Sequence, residues 1–153
     1  MSADVPVPGQ VLTMSGVFVL RVPPEWQATG LEGHRYRLRR PGVEGSVDVS
    51  VHRGHEPAPD ARETVRAYAR SCGAPEDVSL VPLHGDERPT ARRAGARWAD
   101  GPGWRVAAAL CSGRDVVVAA AVAGDDEARA AVERIVTTLE PHVAARRWWH
   151  RRR

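Results

Sequence analysis

The sequence contains neither lysine nor asparagine, so all 22 of its basic residues are arginine. That is what a GC-rich genome writes, and arginine abundance alone is therefore no sign of function. Cysteine is nearly absent. Cys72 and Cys111 are the only two, and their spacing matches no zinc or redox motif. No stretch reaches the roughly 18 consecutive apolar residues that a membrane helix needs. The opening MSADVPVPGQ lacks the basic region of a signal peptide, and the apolar run from Val17 to Leu20 is far too short for one. The cytoplasm is the expected compartment, with both thiols reduced.

What is present is ordinary in bulk and uneven in detail. The 153 residues bound one domain with one core, and 42% apolar and 27% charged residues are usual for a globular chain. The net charge of +3 hides an asymmetry. Arg146, Arg147, Arg151, Arg152 and Arg153 all follow Glu140, whereas residues 1–140 hold 17 arginines and all 19 acidic residues, a balance of −2. The pI near 9.5 thus belongs to the tail, and a basic, nucleic-acid-binding body is not implied.

Periodicity supplies the elements. The first 14 residues, with Pro6, Pro8 and Gly9, read as a flexible arm. In GVFVLRVPPEW a strand alternates until Pro23-Pro24 stops it. HRYRLRR sets Tyr36 and Leu38 against Arg35, Arg37 and Arg39, and SVDVSVH repeats the pattern with Val47, Val49 and Val51. A helix begins at Asp60, an N-cap with Glu63 three residues on in capping-box fashion, and Gly73 ends it. VSLVPLH, RRAGARW and WRVAAALC follow as strands. The Asp-Gly turn between Trp98 and Trp104 predicts that these two face each other on one side of a sheet. VVVAAAVA is apolar on both faces, as a strand covered from both sides should be. A last helix starts acidic at Asp125, Asp126 and Glu127 and carries the stripe Ala128, Ala131, Val132, Ile135, Val136 and Leu139. Pro141 then interrupts it. The expected class is α+β: one largely antiparallel sheet of about seven strands with two helices packed on it, in the order β-β-β-α-β-β-β-β-α. The domain spans residues 15–141, and residues 142–153 are a basic, Trp-containing tail.

That order, with the motif Val22-Pro23-Pro24-Glu25-Trp26, resembles the PsbP-like and DcrB-like α/β/α sandwiches over about residues 15–141. Relatives of that kind include a photosystem II extrinsic protein, a nuclear-import factor that binds a small GTPase, actinobacterial lipoproteins and chaperones of secreted toxins. The resemblance implies binding of other molecules, usually proteins, without chemistry. It transfers no binding residue, and the lipobox cysteine of the lipoprotein members has no counterpart here.

The residues themselves argue the same way. His52, His55 and Glu56 in HRGHE sit at a strand end beside Gly54 and Pro57, not on the helical face that zincin patterns require. Cys72 falls on the apolar stripe of its helix, and Cys111 has no base beside it in sequence, so both read as small buried hydrophobes. GVEGS and GPG are turns, not phosphate loops, and Asp86-Glu87 and Asp125-Asp126 read as a solvated loop and a helix start. Trp26 reads as a core or sheet-edge residue. No catalytic residue, cofactor or metal is expected, and the chain is not read as an enzyme. The arginine strand presents either a cationic face or, more plainly, a solvated face or surface ion pairs worth about 0–1 kcal/mol each.

The candidate partner-binding residues are Trp98 and Trp104, as an aromatic hot spot, and Arg146, Arg147, Trp148, Trp149, Arg151, Arg152 and Arg153 in the tail. Ala145, Trp148 and Trp149 share one side at i, i+3, i+4. Three docking partners suit such a tail: another protein, an anionic membrane surface, or single-stranded nucleic acid. A merely solubilising tail is the plain alternative. The acidic body puts nucleic acid last and membrane behind protein. The expected function is protein binding, as an adaptor or chaperone; the alternative is a peripheral module docking through its Arg/Trp tail.

Overall fold

A computed structural model describes residues 10–13, 16–53, 59–85 and 89–142. Along the chain come β1 (Gln10–Thr13), β2 (Phe18–Val22), β3 (Gln27–Leu31), β4 (Arg35–Arg39) and β5 (Gly45–His52), then α1 (Ala61–Ser71). They are followed by β6 (Ser79–Val81), β7 (Arg93–Asp100), β8 (Gly103–Ser112), β9 (Asp115–Ala123), α2 (Asp126–Val136) and β10 (Glu140–Pro141). Seven strands form one antiparallel sheet in the order β3-β4-β5-β9-β8-β7-β6, and β1-β2-β10 form a second sheet of three. The expected α+β class, with a largely antiparallel seven-strand sheet and two helices, is the observed one.

The details differ where side chains gave no pattern. Gln27-Ala28-Thr29-Gly30-Leu31 has no alternation and only Thr29 as a β-former, yet it is the edge strand β3, held by its register with β4. Residues 10–13, inside the segment read as an arm, pair with β2 from Gln10–Val22 to Thr13–Val19. Pro141, read as an interruption, lies in β10 opposite Phe18, at a sheet edge where a missing N–H is tolerated. β2 therefore belongs to the small sheet and not to the large one.

Local chemistry explains the helix ends. Asp60 Oδ1 accepts hydrogen bonds from the amides of Arg62 (2.8 Å) and Glu63 (3.3 Å). The Glu63 carboxylate turns to Arg66 at 3.2 Å and does not close the expected capping box. At the other end Gly73 takes φ +83°, and the amides of Gly73 and Ala74 reach back to the carbonyls of Arg70 and Ala69. This is the paired 5→2 and 6→1 closure of a Schellman motif, for which only glycine is unstrained. α2 is capped by Asp125, whose Oδ1 accepts from the Ala128 amide at 2.7 Å.

The two faces of the large sheet are covered unequally. On one face α2 packs over β8, β9 and β5 and reaches β2. Phe18, Leu20, Leu38, Leu110, Ile135 and Leu139 are all fully buried there. Trp26, read as a core or sheet-edge residue, joins this core at 2% exposure. Arg93, the one buried charged residue among those described, donates from Nη1 to the Leu139 carbonyl (2.8 Å) and from Nη2 to the His84 carbonyl (2.9 Å). The chain leaving α2 is thereby fixed against the start of β7. On the opposite face α1 packs over β7 and β8, burying Val65 and Ala69 against Ala94, Ala96, Trp98, Ala107 and Ala109.

Truncating Ile135 to Ala should cost about 2–5 kcal/mol, because the side chain is fully enclosed and its cavity cannot collapse. Val122, 44% exposed, should tolerate the same truncation within about 0.5 kcal/mol. Urea denaturation of both variants checks the contrast, and equal losses would contradict the burial map.

Candidate functional site

β9 is the strand whose two sides meet different surroundings. Val117, Ala119, Ala121 and Ala123 point to the α2 face and are at most 2% exposed. Val116, Val118, Ala120 and Val122 point to the α1 face, where cover fades along the strand. Val116 is buried at 5%, Val118 and Ala120 are half-buried, and Val122 is 44% exposed. The sequence reads β9 as covered from both sides, and the structure covers one side fully and the other only in part. The cause is positional: α1 lies over β7 and β8, reaches β9 only at Val116, Val118 and Ala120, and leaves β5, β4 and β3 open on that face.

A groove of about 480 Å³ runs between the flank of α1 and this open strip. Thr64, Ala67 and Tyr68 line it from the helix, and Ser50, His52 and Val118 from the sheet. Its polar groups are few. The Ser50 hydroxyl lies 3.2 Å from His52 Nε2. Tyr68 is half-buried, and burial first, then its hydrogen bond with Cys72, pushes its phenol up to about 12. Arg105, reaching to Asp100 at 2.8 Å, works in the opposite direction on Tyr68. Burial also raises the Cys111 thiol, with a smaller opposing effect from the Thr64 hydroxyl 3.9 Å away.

Beyond β5 the open face becomes cationic. Arg35, Arg37 and Arg39 alternate outward along β4, opposite the Tyr36 and Leu38 side. Arg37 is taken up by Asp48 across the strand pair, from Nε at 2.8 Å and from Nη2 at 3.1 Å. Arg35 and Arg39 are exposed and have no acidic partner among the described residues. The ion-pair reading of the arginine strand therefore holds at its centre, and the ends are exposed cations.

Trp98 and Trp104 do not face each other. The hairpin pairs Asp100 with Gly103, so residues opposite each other have numbers summing to 203. Trp98 consequently lies across from Arg105, and Trp104 across from Ala99, on the other side of the sheet. Trp98 is 6% exposed under α1. Trp104 donates from Nε1 to Asp126 at 2.8 Å, and the Arg129 guanidinium stands 5.3 Å from its ring. The two rings share no surface. Arg146, Arg147, Trp148, Trp149, Arg151, Arg152 and Arg153 lie outside the described residues, as do His55, Glu56, Asp86 and Glu87. Among the described residues no group of three or more His, Cys, Asp or Glu side chains is placed to hold a metal ion, and no helix is long and apolar enough to cross a membrane.

Sequence reasoning missed the strip of Val118, Ala120 and Val122 with Thr64, Ala67 and Tyr68 as a surface. The signal was present in the two-sided apolar pattern of β9, set against a single short helix available to cover one side.

Below pH 10 the Tyr68 phenol contributes nothing to pH dependence, being protonated whether the chain is folded or not. Between about pH 10 and about pH 12 the unfolded chain loses the proton and the native one retains it, so stability should fall as pH rises. Tyr68→Phe should flatten that decline. Urea melts at about pH 9 and about pH 11 measure it, and equal slopes for variant and parent would refute it.

No protein-family model and no curated protein sequence matches the chain. Among solved structures it is similar to a protein of Bacteroides thetaiotaomicron, with a TM-score of 0.59 and 14% identity, over 90% of this chain and 50% of that one. The chain thus spans half the length of that protein, and the likeness shows a shared α/β fold. It is also similar to the Ran-binding protein Mog1p of Saccharomyces cerevisiae, at a TM-score of 0.48 and 15% identity over 84% of each chain. A mutant of Mog1 gives the same TM-score at 14% identity, over 84% of this chain and 86% of that one.

Proposed function

We propose that the chain is a non-enzymatic, cytoplasmic protein-binding domain of PsbP-like or DcrB-like type, an adaptor or chaperone whose partner seats on the open half of the α1 face. The observation that carries this reading is β9. It is a central strand with valines and alanines on both sides, and on one of those sides the domain itself supplies only half a cover. A two-sided apolar strand is the mark of two-sided burial, and a partner completes it.

The groove chemistry favours binding over catalysis. Ser50 and His52 approach each other, but β5 runs between β4 and β9 with both neighbours in register. The amides around Ser50 are committed to the ladder, which leaves no donor pair to stabilise an oxyanion there. Few polar groups in a mostly apolar groove also suit a side-chain anchor.

Full-length chain, a chain ending at His142, and the full chain carrying Ala67→Arg should be used as baits in a native lysate. Ala67 is exposed on α1 at the groove, and arginine is as good a helix former as the site requires. The first two baits should recover the same protein and the third should lose it. Recovery by the full chain alone, with or without the Ala67 change, would move the function to the Arg/Trp tail.

A further inference from the structure

We infer that the open strip between α1 and β4 is a seat for an acidic amphipathic helix of a partner protein. The inference rests on the partner-binding reading above and adds the chemistry of the partner.

Spacing argues for a helix. α1 sits over β7 and β8, and the next two strands are β9 and β5. Strands lie about 4.8 Å apart, so the midline of β9 and β5 is about 9.6 Å from the midline beneath α1. Helices pack side by side at about 8–10 Å. A second helix in contact with α1 therefore has its axis over β9 and β5. Its floor would be Val118, Ala120 and Val122, with Ser46, Ser50 and the Arg37-paired Asp48 beside them. Its near wall would be Thr64, Ala67 and Tyr68 of α1, with Thr64 and Ala67 short enough to admit a side chain between them and the sheet.

Charge argues for acid. On the far side of such a helix stand Arg35 and Arg39, exposed and without an acidic partner among the described residues. Arg37 between them is already neutralised by Asp48. Arg35 and Arg39 are four residues apart on a strand, about 13 Å between their Cα atoms. Helix positions i and i+8 are about 12 Å apart. Two carboxylates some two turns apart on one flank thus meet both arginines while the apolar flank faces β9.

The test selects peptides from a random 16-residue display library on the full-length chain and measures the recovered peptides by fluorescence anisotropy. The variants are Arg35→Glu/Arg39→Glu and Ala67→Arg, each shown by thermal melting to remain folded. The expected pool has apolar residues at i, i+3 or i+4, and i+7, with Asp or Glu two turns apart on one flank. Both variants should weaken binding about tenfold or more, and the arginine reversal should matter less in high salt. Peptides sensitive to Ala67→Arg but neutral or basic, or indifferent to the arginine reversal, would overturn the acidic helix and leave the binding face standing. A pool with no peptide sensitive to Ala67→Arg would overturn both. Co-sedimentation with phosphatidylserine vesicles that is lost on the arginine reversal would assign the arginine row to a membrane and also defeat the inference.

Discussion

The domain is organised around one demand: the β8–β9 hairpin has to carry packed layers on both faces. Alanine meets it. Ala107 and Ala109 lie under α1, and Ala108, Ala119 and Ala121 lie under α2, all at most 2% exposed. Side chains this short let the helices come close on both sides. They also bury little area, so beyond Val106, Leu110 and Val117 of the hairpin itself the larger side chains come from elsewhere. Phe18 and Leu20 arrive from β2, Leu38 from β4, and Ile135 and Leu139 from α2 and its exit. This explains why a three-stranded sheet is attached to the core. The Arg21 amide bonds to the Thr138 hydroxyl at 2.9 Å, and β10 pairs with β2, so the chain after α2 is drawn down onto the strand that supplies the bulk.

The same demand produces the asymmetry of the two faces. α2 and the small sheet together roof one side, whereas α1 alone serves the other. Eleven residues of helix, centred over β7 and β8, cover β9 only in part and leave β5, β4 and β3 uncovered. Polar side chains make that exposure harmless on β5 and β4, where Ser46, Asp48, Ser50 and the arginines point outward. Only β9 keeps valines there. An antiparallel sheet can hold a solvated face without any partner, so the open face by itself says little; the apolar strand at its centre is what asks for one.

The parts legible in the sequence were those written in local chemistry. Asp60 and Gly73 delimit α1, Asp125 begins α2, and the periods of β4, β5 and α2 give their buried sides. What could not be read is decided by partners distant in the chain. β3 has no pattern of its own and exists through β4. β1 and β10 exist through β2. The Trp98–Trp104 relation turned on one unit of register, since a turn centred between Gly101 and Pro102 opposes residue 98 to 105, not to 104. In a structure with period two, that single step sends the rings to opposite faces. The candidate surface was half legible: the apolar period of β9 was visible, and the place where α1 would lie was not.

Net charge is likewise a poor guide to where a charge is available. Residues 1–140 are acidic by two units, which argues against a basic face. Yet acids are used where they stand. Asp48 holds Arg37, Asp100 holds Arg105, Asp115 lies 3.5 Å from Arg53, and Glu133 serves both Arg97 and Arg129. Surface pairs of this kind contribute only about 0–1 kcal/mol each to stability, but they decide which cations remain open to a partner. Arg35 and Arg39 on β4 are left without an acidic partner among the described residues, one strand beyond β5 from the valines of β9. Their openness follows from cross-strand register and from no property of the composition. A mildly acidic domain can therefore present a cationic margin to one side of an apolar groove, and that combination, not the total charge, sets the kind of surface it can receive.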